Sequence, residues 1–419
     1  MEMEGLVNEL LIVYDSLSMK VLFTMGGVSH YIAPLFDAIA RKGIEVVVLI
    51  PESQKKTIIG KGVKLVEQKS LFSVRKSEHR KKWYGKLALE GLTATILEEK
   101  PNIVVLGWPY FLQYFFSYSL RSALKRVKAK LIIREIPFQT PPFGKLSYFK
   151  KHPAWNENME NVSKGFSFYV KAFATMHIRK YIYKRADATI NYASVAKEIL
   201  PSYGMSLDSI FVTYNTVDTN EAFKQKEKVL ALPHTWEKKP RIIHIGRLVK
   251  WKRVDLLIDA FNIVVKQIPD AELVIVGDGP EKEILEKQVQ VLGLEEKIVF
   301  TGAIHDAFLL GQHMNESSVY VLAGMGGLSI NEAMCYSLPI VCSVCDGTER
   351  DLITDGVNGY FFKENDVNSL SEKIETLLLN PKEAAAMGER SLKIIKEKIN
   401  TETVSQRFID AFEYVSVRT

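Results

Sequence analysis

At 419 residues the chain is long enough for two domains, each able to bury its own core. Hydrophobic residues make up 47% and charged residues 25%, which excludes a disordered or fibrous chain, and no apolar run is long enough for a membrane-spanning helix. The formal net charge of +6 conceals an asymmetry: residues 1–224 hold 32 Lys+Arg against 20 Asp+Glu and the remainder 23 against 29, so the basic half points to an anionic partner or surface.

Residues 1–18 carry Glu2, Glu4 and Glu9 rather than a basic leader, so a signal peptide is not expected and the cytoplasm is the expected compartment. The stretch reads as an extension ahead of the main fold, with Leu10–Tyr14 able to add an edge strand. The first buried strand is Lys20–Thr24. Gly26 and Gly27 end it, and Ser29 is placed to cap the helix that follows. This βα turn lacks the full G-x-G-x-x-G fingerprint. It is either a simple turn or a set of backbone N–H groups facing a ligand.

Strands then alternate with helices: Glu45–Ile50, Val63–Glu67, Ile103–Gly107, Lys130–Glu135, Ala188–Asn191 and Ile210–Tyr214. The alternation predicts an α/β fold with a parallel sheet covered on both faces. Three segments are both basic and aromatic: Arg75–Lys86, Trp108–Lys130 and the region between Phe138 and Arg185, which includes Trp155. A solvated basic face over an aromatic core, docking on an anionic membrane surface, and nucleic-acid binding all fit such patches. No RNP-like, helix-turn-helix or zinc-finger signature supports the last, and no nucleic-acid partner is expected.

Residues 224–240 are polar, with two prolines, and read as a linker between a first domain, 1–223, and a second, 241–400. A second alternating series follows: Arg241–Gly246, Glu272–Gly277, Lys297–Thr301, Val319–Leu322, Pro339–Ser343 and Gly359–Phe362. Helices are predicted at Val254–Gln267, Glu281–Leu292, about Lys382–Lys398 and Glu402–Val417. Cys342 and Cys345 form a lone C-x-x-C with no second pair, so they and Cys335 read as small core or turn residues rather than a zinc or redox site.

The stretch Ala323–Val341 is the most informative. Gly324, Gly326 and Gly327 lead into a helical pattern with Ile330, Ala333, Met334 and Ser337 on one face. A strand, a glycine turn and a helix start make an anion site: glycines remove the side chains that keep a phosphate away, and Gly326, Gly327, Leu328 and Ser329 can offer backbone N–H groups. Glu332 falls one turn on, roughly opposite the apolar face. It is either a solvated surface carboxylate or an acceptor for two sugar hydroxyls. The first strand of the same half ends HIGRLVKWKR, which puts Arg247 and Lys252 in the loop after it. Ligands of open α/β sheets bind beyond the carboxyl ends of the strands, and two cations there can neutralise a diphosphate. The next strand ends Gly277-Asp278-Gly279, another glycine turn on the same edge.

Taken together, HIGRLVKWKRVDLLIDAF, ELVIVGDGPEKEIL, KIVFTGAI, YVLAGMGGLSINEAM, LPIVCS and GTERDLITDGVNGYFF resemble the donor-binding domain of the retaining nucleotide-sugar glycosyltransferases of family four. KVLFTMGG, RADATINYASVAKEIL and IFVTYNTVDTNEAF are weaker echoes in the first half. The resemblance implies the GT-B fold, two Rossmann-like parallel-sheet domains facing a cleft. It implies that Arg247 and Lys252 grip the donor diphosphate, that Glu332 holds the ribose hydroxyls, and that the loop Gly324–Ser329, including Met325, meets the phosphates. By the same resemblance Gly277, Asp278 and Gly279 with Gly302, Ala303 and Ile304 border the base. Gly26 and Gly27 approach from the other domain, and a last helix, 401–419, crosses back to the first domain.

Two departures from the family pattern stand out. The first of its two spaced glutamates falls at Gly324, which leaves room for a modified sugar, exposes backbone N–H groups, or marks lost activity. Where many relatives have a histidine after the fifth strand, this chain reads Arg134-Glu135-Ile136-Pro137-Phe138, and Glu135 is the acceptor-side candidate. No D-x-D-like signature is placed for a metal, so neither a metal nor another cofactor is expected. The expected activity is retaining transfer of a sugar from a nucleotide-diphosphate donor to a saccharide or lipid-linked acceptor in cell-surface glycan assembly. A sugar-nucleotide-binding scaffold without turnover is the alternative.

Overall fold

The computed structural model describes residues 19–52, 70–135, 140–152, 154, 162–233, 239–344 and 347–417. The stretch 1–18, the expected strand Val63–Glu67, Ile136–Phe138, Trp155, Cys345 and positions 234–238 of the expected linker lie outside them. Among the described residues, those up to Thr213 and those from Val404 onward form one compact unit, and Tyr214–Thr403 form a second.

The first unit contains β1 (Lys20–Thr24), β2 (Glu45–Pro51), β3 (Ser73–Ser77), a hairpin of β4 (His79–Lys81) and β5 (Leu87–Leu89), then β6 (Ile103–Gly107), β7 (Lys130–Glu135), β8 (Ala188–Asn191) and β9 (Ile210–Val212). Seven of these form one parallel sheet in the order β3-β2-β1-β6-β7-β8-β9. Central strands such as β2 are near-continuous apolar runs because both faces are covered. One face packs Leu22, Leu49, Leu106 and Ile133 into a core. On the other, Phe23 meets Phe36 at 4.8 Å and, from helix Thr401–Val417, Phe408 at 6.3 Å and Phe412 at 6.1 Å.

Part of the basic stretch Arg75–Lys86 proves to be sheet. It supplies most of the edge strand β3, followed by the antiparallel hairpin. β3 is largely exposed and charged, as suits an outer strand that must not pair with another chain.

The second unit holds β10 (Arg241–Ile245), β11 (Glu272–Val276), β12 (Ile298–Gly302), β13 (Val319–Leu322), β14 (Ile340–Cys342) and β15 (Gly359–Phe361). They run parallel in the order β12-β11-β10-β13-β14-β15. The strand order reverses between β10 and β13. At such a switch point the connections leave to opposite faces and open a crevice beyond the strand ends. Helix Val254–Gln267 buries Leu257, Phe261 and Val264 against Ile275 and Val321.

The expected linker 224–240 needs correction. Residues Thr219–Leu230 form a helix, capped by the Asp218 side chain accepting from the Glu221 N–H at 3.1 Å. It packs on helices Ala307–Glu316 and Ser329–Cys335 and so belongs to the second unit. Its Lys- and Glu-rich outer face disguises it as a linker. The two chain passages out of this unit are tied together. Thr216 Oγ1 donates to the Ile399 carbonyl at 3.0 Å, and the Thr401 N–H donates to Thr219 Oγ1 at 3.0 Å.

Candidate functional site

Two loops flank the switch point of the second unit. After β10 the chain passes Arg247 and makes a short 3-10 turn, Lys250–Lys252. After β13 it runs through Gly324–Gly327 into helix Ser329–Cys335. The two are joined by one backbone and one side-chain hydrogen bond: the Met325 N–H donates to the Trp251 carbonyl at 2.9 Å, and Lys252 Nζ donates to the Gly326 carbonyl at 2.9 Å. Lys252 thus holds a fixed ammonium at the mouth of the glycine loop. A Cβ at Gly327 would lie 3.0 Å from that Nζ. Arg247 is half-buried, and among the described residues no carboxylate pairs with it. The helix that follows has only 7 residues, so its dipole is a smaller term than the two cations.

Gly324 has a different role from the one the family pattern suggests. A Cβ there would sit 2.2 Å from the Trp251 carbonyl oxygen and 2.5 Å from the Lys252 carbonyl carbon. Backbone occupies the space where a glutamate side chain would start. The position is where the cation-bearing loop closes on the glycine loop.

The other expected donor residues line up along the same edge of the sheet. Gly277 abuts the Gly246 carbonyl, where a Cβ would come to 1.9 Å, and Gly279 abuts Leu248, with 2.2 Å to its oxygen. The Gly277 N–H donates to the Gly302 carbonyl and the Leu248 N–H to the Asp278 carbonyl, both at 2.9 Å. Asp278 Oδ1 accepts from the Gly279 N–H at 2.7 Å. These contacts lock the loops after β10, β11 and β12 into one rim, beyond which Ala303 is exposed and Ile304 half-buried. The glycines are needed for this loop-to-loop packing.

Glu332 is not a fully solvated surface carboxylate. Its residue is half-buried, and burial of the carboxyl raises its pKa to about 7. A carboxyl held there is poised to accept hydrogen bonds from neutral hydroxyls, which would restore its charged form. Beneath the loop, Tyr320 is fully buried. Its hydroxyl donates to Ser329 Oγ at 2.7 Å and lies 3.4 Å from the Ile245 carbonyl, bridging the β10 end to the helix start. His244 is also fully buried. Its ring Nδ1 pairs with the Val321 carbonyl at 3.0 Å, and burial lowers its pKa to about 4, with the charge of Lys252 adding to the shift. The imidazole is therefore neutral, with Nδ1 the protonated nitrogen. Sequence reasoning missed Tyr320 and His244. Both alternate with apolar strand neighbours and look like core positions.

The remaining candidates lie in the first unit. Gly26 and Gly27 follow β1 at the carboxyl edge of that sheet. Ser29 does not cap through its hydroxyl. Its carbonyl accepts from the Ile32 and Ala33 N–H groups, and helix Ala33–Arg41 starts without a side-chain cap. Glu135 is a structural residue. Only 5% of its side chain is exposed, Arg179 Nη2 pairs with Oε1 at 2.5 Å, and the Tyr183 hydroxyl donates to Oε2. With both oxygens engaged, the carboxylate is not offered to an acceptor.

The chain is similar to known proteins in sequence and in fold. Residues 209–394 match the family model described as "Glycosyl transferases group 1". A poly(ribitol-phosphate) alpha-N-acetylglucosaminyltransferase of Staphylococcus aureus (strain COL) is 29% identical over 209 residues, 49% of this chain and 40% of that protein. A sulfoquinovosyl transferase of Arabidopsis thaliana is 29% identical over 222 residues, 51% of this chain and 41% of that protein. The matches thus span about two-fifths of the length of these relatives. Among solved structures, the Anabaena HepE protein in complex with UDP aligns with a TM-score of 0.66 at 18% identity, over 94% of this chain and 100% of that one. At that identity the likeness establishes the fold, which is that of the two-domain GT-B type.

Proposed function

We propose, from the match of residues 209–394 to the glycosyl transferases group 1 family model, that this chain moves a sugar from a nucleotide-diphosphate donor to a saccharide or lipid-linked acceptor, retaining anomeric configuration. The observation that carries this reading is the closure of the Arg247–Lys252 loop on the glycine loop at the switch point. Breaking a sugar–phosphate bond builds negative charge on the leaving diphosphate. Lys252, held by Gly326, supplies fixed positive charge there at little cost of reorganisation during the reaction, and the half-buried Arg247 adds a second cation. Glu332 accepts from the ribose hydroxyls, and the rim of Gly277–Gly279 and Gly302–Ile304 borders the base. The acceptor attacks from the side the diphosphate leaves, and a leaving phosphate oxygen takes its proton. The two cations do the work for which a metal is often recruited, so we propose no obligatory metal.

A glycan of the cell surface is the proposed acceptor class, in line with the polyol-phosphate polymer named for the Staphylococcus aureus relative. Trp83, Tyr118 and Phe166 of the first unit are 84%, 78% and 87% exposed among basic residues. That composition supports peripheral docking of a cytoplasmic protein on an anionic membrane. Among the described residues no helix is long and apolar enough to cross one. Co-sedimentation with vesicles containing anionic lipid checks the docking, and absence of pelleting overturns it.

A thermal-shift panel of UDP-, GDP-, ADP-, CDP- and dTDP-sugars with their free nucleotides tests the donor site. A ligand at 100 times its dissociation constant stabilises by about 2.7 kcal/mol, which is readily seen. One nucleotide family is expected to raise the melting temperature; no shift with any of them overturns the reading.

A further inference from the structure

Arg134 ends the apolar run of β7 at its carboxyl end and is only 8% exposed. Its Nε is buried with no hydrogen-bond partner among the described residues. The guanidinium lies over the ring of Tyr192 at 4.7 Å and 6.0 Å from that of Phe408, and among the described residues no carboxylate pairs with it. The adjacent Glu135 cannot serve. Side chains alternate along a strand, so Glu135 points to the opposite face, where Arg179 and Tyr183 hold it. An arginine cannot shed its charge on burial, and ring faces offset only a small part of the lost hydration. On the same face, the residue in register with Arg134 on β6 is Gly107, which has no side chain to cover it.

We propose that Arg134, with the Tyr192 ring beneath it, is an oxyanion site in the first unit that receives a phosphate or carboxylate carried by the acceptor. The planar fork of a guanidinium matches both groups through two parallel N–H···O bonds. Position supports this. Arg134 sits at the strand ends where ligands of open α/β sheets bind, one strand from the β1/β6 reversal. The inference rests on the transfer reading only in calling the ligand an acceptor; the anion site stands on the buried, unpartnered Nε and on the lack of a pairing carboxylate among the described residues.

Isothermal titration of the full chain, without nucleotide, tests it using glycerol 3-phosphate, L-malate and uncharged glycerol. The expected result is saturable binding of at least one of the two anions and none of glycerol; which anion binds identifies the group. Arg134→Met should weaken that binding at least tenfold, and Arg134→Lys, which keeps the charge but loses the fork, should not restore it fully. The unliganded Arg134→Met protein should melt at or above the wild-type temperature, because an unpaired buried charge has been removed. Nucleotide binding should stay unchanged in both variants. Absence of anion binding to the wild type, equal binding to Arg134→Met, or a lowered melting temperature of that variant overturns the proposal. Failure of nucleotide binding in the wild type would instead strike the donor reading, so the two are told apart.

Discussion

Lys252 Nζ donates to the Gly326 carbonyl at 2.9 Å, so one cation of the loop after β10 is set in place by the backbone of the loop after β13. A lysine free in solvent would sample many rotamers and lose entropy on meeting a phosphate. This one has already lost it. The consequences for activity, stability and pH dependence can each be measured.

Lys252→Ala and Arg247→Ala should each lower kcat/KM for sugar transfer by roughly 100- to 1000-fold, the usual cost of one preorganised charge-stabilising contact, about 2.7–4 kcal/mol. The melting temperature should change little, since neither side chain is part of a core. Turnover close to wild type in both variants would remove the site assignment.

Gly324→Glu restores the family's first glutamate in sequence but not in space. Its Cβ would begin 2.2 Å from the Trp251 carbonyl, so the loops must separate. We expect a loss of about 1–3 kcal/mol of stability, and weaker nucleotide binding. A gain in transfer rate would show that the loops yield easily and that the close contact is incidental.

Glu332 makes stability depend on pH. Its folded pKa of about 7 lies above the ordinary value of 4.5, so between these the folded chain keeps a proton that the unfolded chain releases. Stability therefore falls as pH rises through that window. Glu332→Gln should be more stable than wild type by roughly 2–3 kcal/mol near pH 8 and equal to it near pH 4. Urea midpoints at the two pH values decide this. The same variant should lose nucleotide affinity, and wild-type binding should tighten as pH rises through about 7, with release of a proton.

His244 acts in the opposite sense. Its folded pKa of about 4 lies below the ordinary value of 6.5, so on acidification the unfolded chain takes up a proton first. Wild-type stability should drop as pH falls through that window, by up to about 3 kcal/mol. His244→Leu should lose this pH dependence while paying at all pH values for the unpaired Val321 carbonyl. Parallel curves for the two proteins would refute the neutral buried assignment.

Glu135→Gln leaves the Arg179 guanidinium buried without its counter-charge. The cost should be about 3–5 kcal/mol of stability, seen as a lower melting temperature, with turnover per folded molecule retained. A fall in kcat at an unchanged melting temperature would restore Glu135 to a direct part in the chemistry.

The periodic and apolar signals in this sequence were sufficient to define the alternating strands and helices, because parallel strands buried on both faces are written as unbroken apolar runs such as Val46–Ile50. They also marked Arg247, Lys252, Glu332 and the glycine loop, since cations and glycines at strand ends are costly without a ligand. Edge and boundary elements were less legible. β3 is charged because it is an edge, and helix Thr219–Leu230 is polar on its outer face, so both resemble loop.

What a residue does depended on neighbours distant in the chain. Gly324 and Glu332 lie eight positions apart in a family motif, yet the backbone of Trp251 and Lys252 decides that one is a packing contact. Glu135 reads as an acidic residue at a strand end, and only the approach of Arg179 and Tyr183 from a later helix makes it structural. Arg134, beside it, is left unpaired by that same arrangement. Local chemistry is carried by residue type and spacing, but whether a charge is paired, buried or offered to a ligand is a property of the packed fold. Desolvation and pairing act over a few ångströms in space, whatever the separation along the chain.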